Sequence, residues 1–79
     1  MDFILAFGGT HRVLKAEAAL KRSALNFRLL PAPKELSKYC GLVISLKEEH
    51  LGEALVVLKE AGLEPKAIYM KEGGEYVKM

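Results

Sequence analysis

The sequence predicts an α+β domain in which two helices pack on one antiparallel sheet, with the elements in the order β-α-β-β-α-β. Three observations lead there. Apolar residues recur at helical spacing twice, over residues 11–25 and again in the stretch that ends at Gly62. Short apolar or β-branched runs stand before, between and after these two stretches. Gly, Pro and Asn fall where one period gives way to the other.

Residues 2–7 form the first strand, since Phe3-Ile4-Leu5-Ala6-Phe7 is an almost continuous apolar run suited to the middle of a sheet. Gly8-Gly9 breaks it, and Thr10 is a good N-cap for the helix that follows. Val13, Ala16, Leu20 and Ala24 lie on one stripe of that helix, with His11, Lys15 and Arg22 on the opposite, basic face. Asn26 can end it. Phe27-Arg28-Leu29-Leu30 is a second short strand, stopped by Pro31, and residues 42–46 form a third, rich in β-branched side chains. Ser45 and Glu48 have capping-box spacing, and the helix they open places Leu51, Ala54, Leu55 and Leu58 on one face. Glu48 and Glu49 near its start and Lys59 near its end suit the helix dipole, and Gly62 is a natural stop. Residues 67–70 form a fourth strand. Gly73-Gly74 is a two-residue turn signal after which Tyr76-Val77 can return as a short extra strand.

This order is the split βαβ of ferredoxin-like folds. Right-handed crossovers then give a four-stranded sheet in the order 4132 with both helices on one face. The 79 residues make a single domain, with a core of residues 1–70 and a C-terminal hairpin or tail over 71–79. The edge of the fourth strand and the short tail suggest a homodimer that pairs through a sheet edge.

Composition narrows the function classes. An apolar fraction of 51% with 28% charged residues is that of a globular chain. One cysteine excludes a disulfide framework and makes the cytoplasm the expected compartment. The apolar opening is too short, and lacks the basic lead, for a signal peptide or membrane span. The net charge of +2 does not call for a nucleic-acid partner, although residues 1–41 hold seven Lys/Arg against three Asp/Glu. Iron–sulfur ligation needs about four cysteines. His11 and His50 are too far apart to form a metal site with Cys40. No Ser/His/Asp arrangement stands out. No metal, cofactor, membrane or nucleic acid is expected, and nothing supplies the second catalytic group of a stand-alone enzyme.

Cys40 carries the functional interest. It closes a Pro-bounded segment, residues 31–41, whose polar character suggests exposure. In the expected topology the first strand exits at the end of the sheet where the third begins. Cys40 then lies near Gly8, Gly9, Thr10, His11 and Arg12, at the amino end of the first helix. Unpaired N–H groups and the dipole there favour an anion such as a thiolate or persulfide. His11, Arg12 and Lys38 are the nearby cations, and Gly41 gives steric access. Cys40 is therefore expected to be accessible, with its thiol acidified below the ordinary value of about 8.5.

Three segments carry a resemblance. Phe7-Gly8-Gly9-Thr10-His11-Arg12-Val13-Leu14-Lys15-Ala16-Glu17, Arg28-Leu29-Leu30-Pro31-Ala32-Pro33-Lys34-Glu35-Leu36-Ser37 and Tyr39-Cys40-Gly41-Leu42 resemble the putative selenium/sulfur carrier protein-like family. This small bacterial group is marked by a Thr-His-x-x-Leu-x-Ala-Glu helix start, a Pro-x-Pro segment and a Cys-Gly pair. The likeness covers about residues 3–70. It implies a thiol at Cys40 that holds sulfur or selenium as a persulfide-type adduct, with donor and acceptor proteins as partners. Gly8-Gly9 and the Gly-Gly-Glu-Tyr-Val-Lys-Met tail depart from the family pattern, and the Cys-Pro pair of other sulfur carriers is absent. Two further readings stay open: an anion- or small-molecule-binding regulatory module in which Cys40 is incidental, and a structural homo-oligomer.

Overall fold

The computed structural model describes residues 1–39 and 41–79. The order along the chain is β1 (Asp2–Ala6), α1 (Thr10–Arg22), β2 (Arg28–Pro31), a single 3-10 turn (Lys34–Leu36), β3 (Leu42–Lys47), α2 (Glu48–Glu60), β4 (Ala67–Glu72) and β5 (Glu75–Lys78). The strands form one antiparallel sheet in the order β2-β3-β1-β4-β5. The sheet thus has five strands: read from β4 to β2 the first four keep the order 4132, and β5 is added as a full neighbour of β4. The cause is local. Gly73 and Gly74 have φ of 57° and 85°, left-handed values that glycine adopts freely, so the chain reverses in two residues. The tail then runs back along its own β4 edge, with Met70 opposite Val77 and Glu72 opposite Glu75.

β1 is central because both of its faces are buried. Leu5, with Phe7 just beyond the strand, joins Ile44 and Leu46 of β3 against Val13, Ala16 and Leu20 of α1 and Ala54 and Leu58 of α2. Both helices therefore share one face. On the other face Ile4, Ala6, Val43, Ala67 and Tyr69 form a second cluster with Leu36 of the 3-10 turn. Leu36 is fully buried. The described residues 31–39 of this segment therefore cover the helix-free face and are not simply an exposed polar loop.

The helix ends differ from the expected ones. Gly9, not Thr10, holds the N-cap position of α1, and its carbonyl accepts from the Arg12 and Val13 N–H groups at 3.1 and 3.2 Å. Helix α1 stops at Arg22 because Ala24 turns left-handed at φ 58°. The Ala24 N–H then donates to the Lys21 carbonyl and the Leu25 N–H to the Leu20 carbonyl, the paired bonds of a Schellman motif. Gly62, at φ 73°, ends α2 with the same pair of bonds, from Gly62 to Lys59 and from Leu63 to Leu58. Ser45 caps nothing: it lies inside β3, opposite Ile4 and Arg28, and α2 begins only at Glu48. Burying β3 outweighs the local capping signal.

Candidate functional site

β1 and β3 are antiparallel with Ala6 opposite Val43, so the exit of β1 and the entry to β3 share one end of the sheet. Gly8, Gly9 and Thr10 leave β1 there, and Gly41 enters β3 there. Gly8, Thr10, His11 and Arg12 are exposed, and Gly41 is exposed across from them on the β3 side. Lys66 joins this end. Its N–H donates to the Ala6 carbonyl at 2.8 Å, and its Cε lies 3.3 Å from where a Cβ on Gly8 would stand. Sequence reasoning missed this cation because β4 register, not a local signal, brings it to Gly8.

The chain on either side of position 40 is pinned. The Ala32 N–H donates to the Gly41 carbonyl at 2.9 Å and closes the segment at its base. Ser37 Oγ donates to the Lys34 carbonyl at 2.9 Å, and the Tyr39 N–H donates to the Leu36 carbonyl. The Tyr39 hydroxyl is hydrogen-bonded to the Tyr69 hydroxyl at 3.1 Å, and the rings meet edge to face with centroids 6.2 Å apart. Lys38 places its ammonium 5.2 Å from the Tyr39 ring centre. Lys38 is thus drawn to the Tyr39 ring, which packs against both core clusters, whereas His11 and Arg12 are exposed on α1.

The tyrosine pair is electrostatically unequal. The bond from Tyr69 holds the Tyr39 hydroxyl below the ordinary value of 10.0, and Lys38 and Lys78 act in the same direction. Tyr69 is pushed above 10.0, first by its bond to Tyr39 and then by burial. One proton shared between two phenols accounts for both directions. The expected accessibility and acidity of Cys40 lie outside the described residues. Among the described residues, no three His, Cys, Asp or Glu side chains gather as a metal-binding group. No described helix is long and apolar enough to cross a membrane.

A family model described as "Putative Se/S carrier protein-like" matches residues 2–70, most of the chain. The chain belongs to that family. Its match takes in the exit of β1, the start of α1, the pinned 31–41 segment and β4, and stops within the β4–β5 hairpin. No curated protein and no solved structure matches the chain significantly.

Proposed function

We propose that this family member is a thiol-based sulfur or selenium carrier with Cys40 as the acceptor atom, on a ferredoxin-like frame extended by β5. The observation that carries the reading is the family match over residues 2–70, which spans the only cysteine in the chain. The pinned flanks support it, because a carrier thiol gains from a segment held in one place. Loading is written as an exchange. The Cys40 thiolate attacks the terminal sulfur of a donor persulfide, a new S–S bond forms to Cys40, and the donor's own S–S bond breaks. The donor leaves as a thiolate, Cys40 becomes a persulfide, and no outside oxidant or reductant is needed. Selenium follows the same path with selenium as the transferred atom. Gly8, Gly9, Thr10, His11, Arg12, Lys38 and Gly41 form the proposed anion-stabilising surroundings. The donor and the acceptor are proteins, and the protein works in the cytoplasm as a delivery module, not as an enzyme.

Intact-mass spectrometry of the natively expressed protein, before any reductant, tests the reading. The expected result is a population heavier by one sulfur or selenium atom that disappears with dithiothreitol and is absent from Cys40→Ser. A chain that stays unmodified after incubation with a persulfide donor in excess overturns it.

A further inference from the structure

Strand alternation sorts the charges of this chain by face. On the helix-free face the register sets Arg28 of β2, Lys47 of β3, Lys71 of β4 and Lys78 of β5 around Ile4 and Tyr69. All four cations are exposed. The carboxylate that projects from a strand on this face is Asp2, and Lys47 holds it at 3.4 Å. Glu72 and Glu75 stand opposite each other on the other face, with Ile68. Four cations against one carboxylate leave three positive charges on these strands, more than the net +2 of the whole chain. Lys38 adds another at the rim, 5.2 Å from the Tyr39 ring centre, and it acts on the Tyr39 hydroxyl together with Lys78.

The apolar centre of this face is sealed. Ile4 and Tyr69 are 2% and 8% exposed, with Leu36, Tyr39 and Tyr76 packed in the same cluster. What the face offers a partner is therefore its ring of charge. A single-stranded nucleic acid needs open aromatic faces on which bases stack. Here Tyr69 is buried, Tyr39 is tied to it by its hydroxyl and carries Lys38 near its ring, and β1 and β3 present no aromatic side chain on this side. An anionic membrane surface needs an apolar anchor beside the cations. Leu14 and Val56 are exposed on the helices and Val77 on the helix side of β5, while Met1 and Met79 lie outside the strands.

We infer that the helix-free face docks an acidic patch of a partner protein, the donor or acceptor of the transferred sulfur or selenium. The inference rests on the carrier reading for the partner's role, and on register and charge for the surface. Arg28 and Lys78 stand on the two edge strands, four strand spacings or about 19 Å apart. That is the scale of a small protein contact. Complementary charge over such a patch steers encounter and fixes orientation. Lys38 and Tyr39 immediately precede position 40, so a partner seated here meets the described flank of the Cys40 segment.

The test is an NMR titration of the full 15N-labelled chain with a synthetic Glu-rich peptide at pH 7, with oligouridylate and phosphatidylserine vesicles as comparisons. The expected result is saturable shifts at residues 28, 47, 71 and 78 with the peptide, and an affinity that falls as salt rises. The Cys40→Ser chain binds equally well, so a failed mass test of the carrier and a failed titration are separate results. Lys71→Glu with Lys78→Glu weakens peptide binding by roughly tenfold or more, about 1.4 kcal/mol. Lys15→Glu with Arg22→Glu, on α1, leaves it within about twofold. Lys71→Gln with Lys78→Gln gives a smaller loss in the same direction and serves if charge reversal disturbs the sheet. Shifts that do not saturate, binding equally sensitive to the α1 pair, or oligouridylate or vesicles that bind these residues more tightly than the peptide overturn the inference.

Discussion

Helices α1 and α2 end in the same hydrogen-bonded motif, but one uses alanine where the other uses glycine. Ala24 has φ 58° and Gly62 has φ 73°. An L-residue held left-handed costs about 1–2 kcal/mol, because Cβ crowds the following carbonyl oxygen. Glycine avoids that cost but loses roughly 0.5–1 kcal/mol more backbone entropy on folding. The difference leaves Ala24→Gly stabilising by about 0.5–1 kcal/mol, and Gly62→Ala destabilising by a similar amount. Neither side chain obscures the comparison. Ala24 is exposed, and a Cβ built on Gly62 meets no heavy atom within 4 Å. In a domain of this size the shift corresponds to a change in Tm of about 2–8 °C. Thermal unfolding followed by circular dichroism measures it, with urea midpoints as a second reading. The double variant should return close to the parent, since the two caps lie on different helices. If Ala24→Gly lowers stability, or Gly62→Ala leaves it unchanged, the left-handed caps do not set these helix ends and the reasoning fails.

Leu36→Ala removes a fully buried side chain that covers the helix-free face, and large-to-small changes of this kind cost about 2–5 kcal/mol. Urea denaturation should show a much lower midpoint with a similar slope, and a loss under 1 kcal/mol would mean that the 31–41 segment is not packed as described. The tyrosine pair predicts a split titration by ultraviolet absorbance, with one phenolate forming below 10.0 and another above it. The sign follows from linkage: Tyr39, lowered in the fold, adds stability as pH rises through its folded value towards 10.0, and Tyr69, raised in the fold, removes stability as pH climbs past 10.0. Tyr39→Phe should abolish the early step, and if the step persists the hydroxyl pair is not what divides the titration.

The elements were legible where a local pattern and burial agree. The continuous apolar run of β1 reflects a strand covered on both faces, and the helical stripes of Val13, Ala16, Leu20 and Ala54, Leu58 face the sheet. Reading failed where a local signal met a stronger tertiary demand. Ser45 looks like a cap, yet its strand position is held by pairing to Ile4 and Arg28. Leu36 sits in a polar, proline-bounded stretch, and nothing adjacent in sequence announces that its target is the helix-free side of β1 and β3. At the candidate site, topology alone brings Gly8 and Gly41 to one end of the sheet. The Lys66 stem over Gly8 and the Tyr39–Tyr69 bond, thirty residues apart, depend on β4 register and could not be read from spacing.

The tail also bears on assembly. In a sheet of order β2-β3-β1-β4-β5, the β4 edge is already paired within the chain, so its backbone groups are not available to a second copy. The remaining edges are β2 and β5. β2 is four residues long and ends in Pro31, which has no N–H to donate, and it carries exposed Arg28. Those are the features by which edge strands resist pairing. β5 is equally short, and Glu75 and Lys78 stand exposed on it. Its inner hydrogen-bonding side is spent on β4, and only its outer side can extend the sheet. Pairing between chains at this edge would add to β5, a four-residue strand on which Val77 is 46% exposed alongside charged Glu75 and Lys78. The same hairpin that completes the sheet removes the strongest reason for this domain to dimerise through its β4 edge.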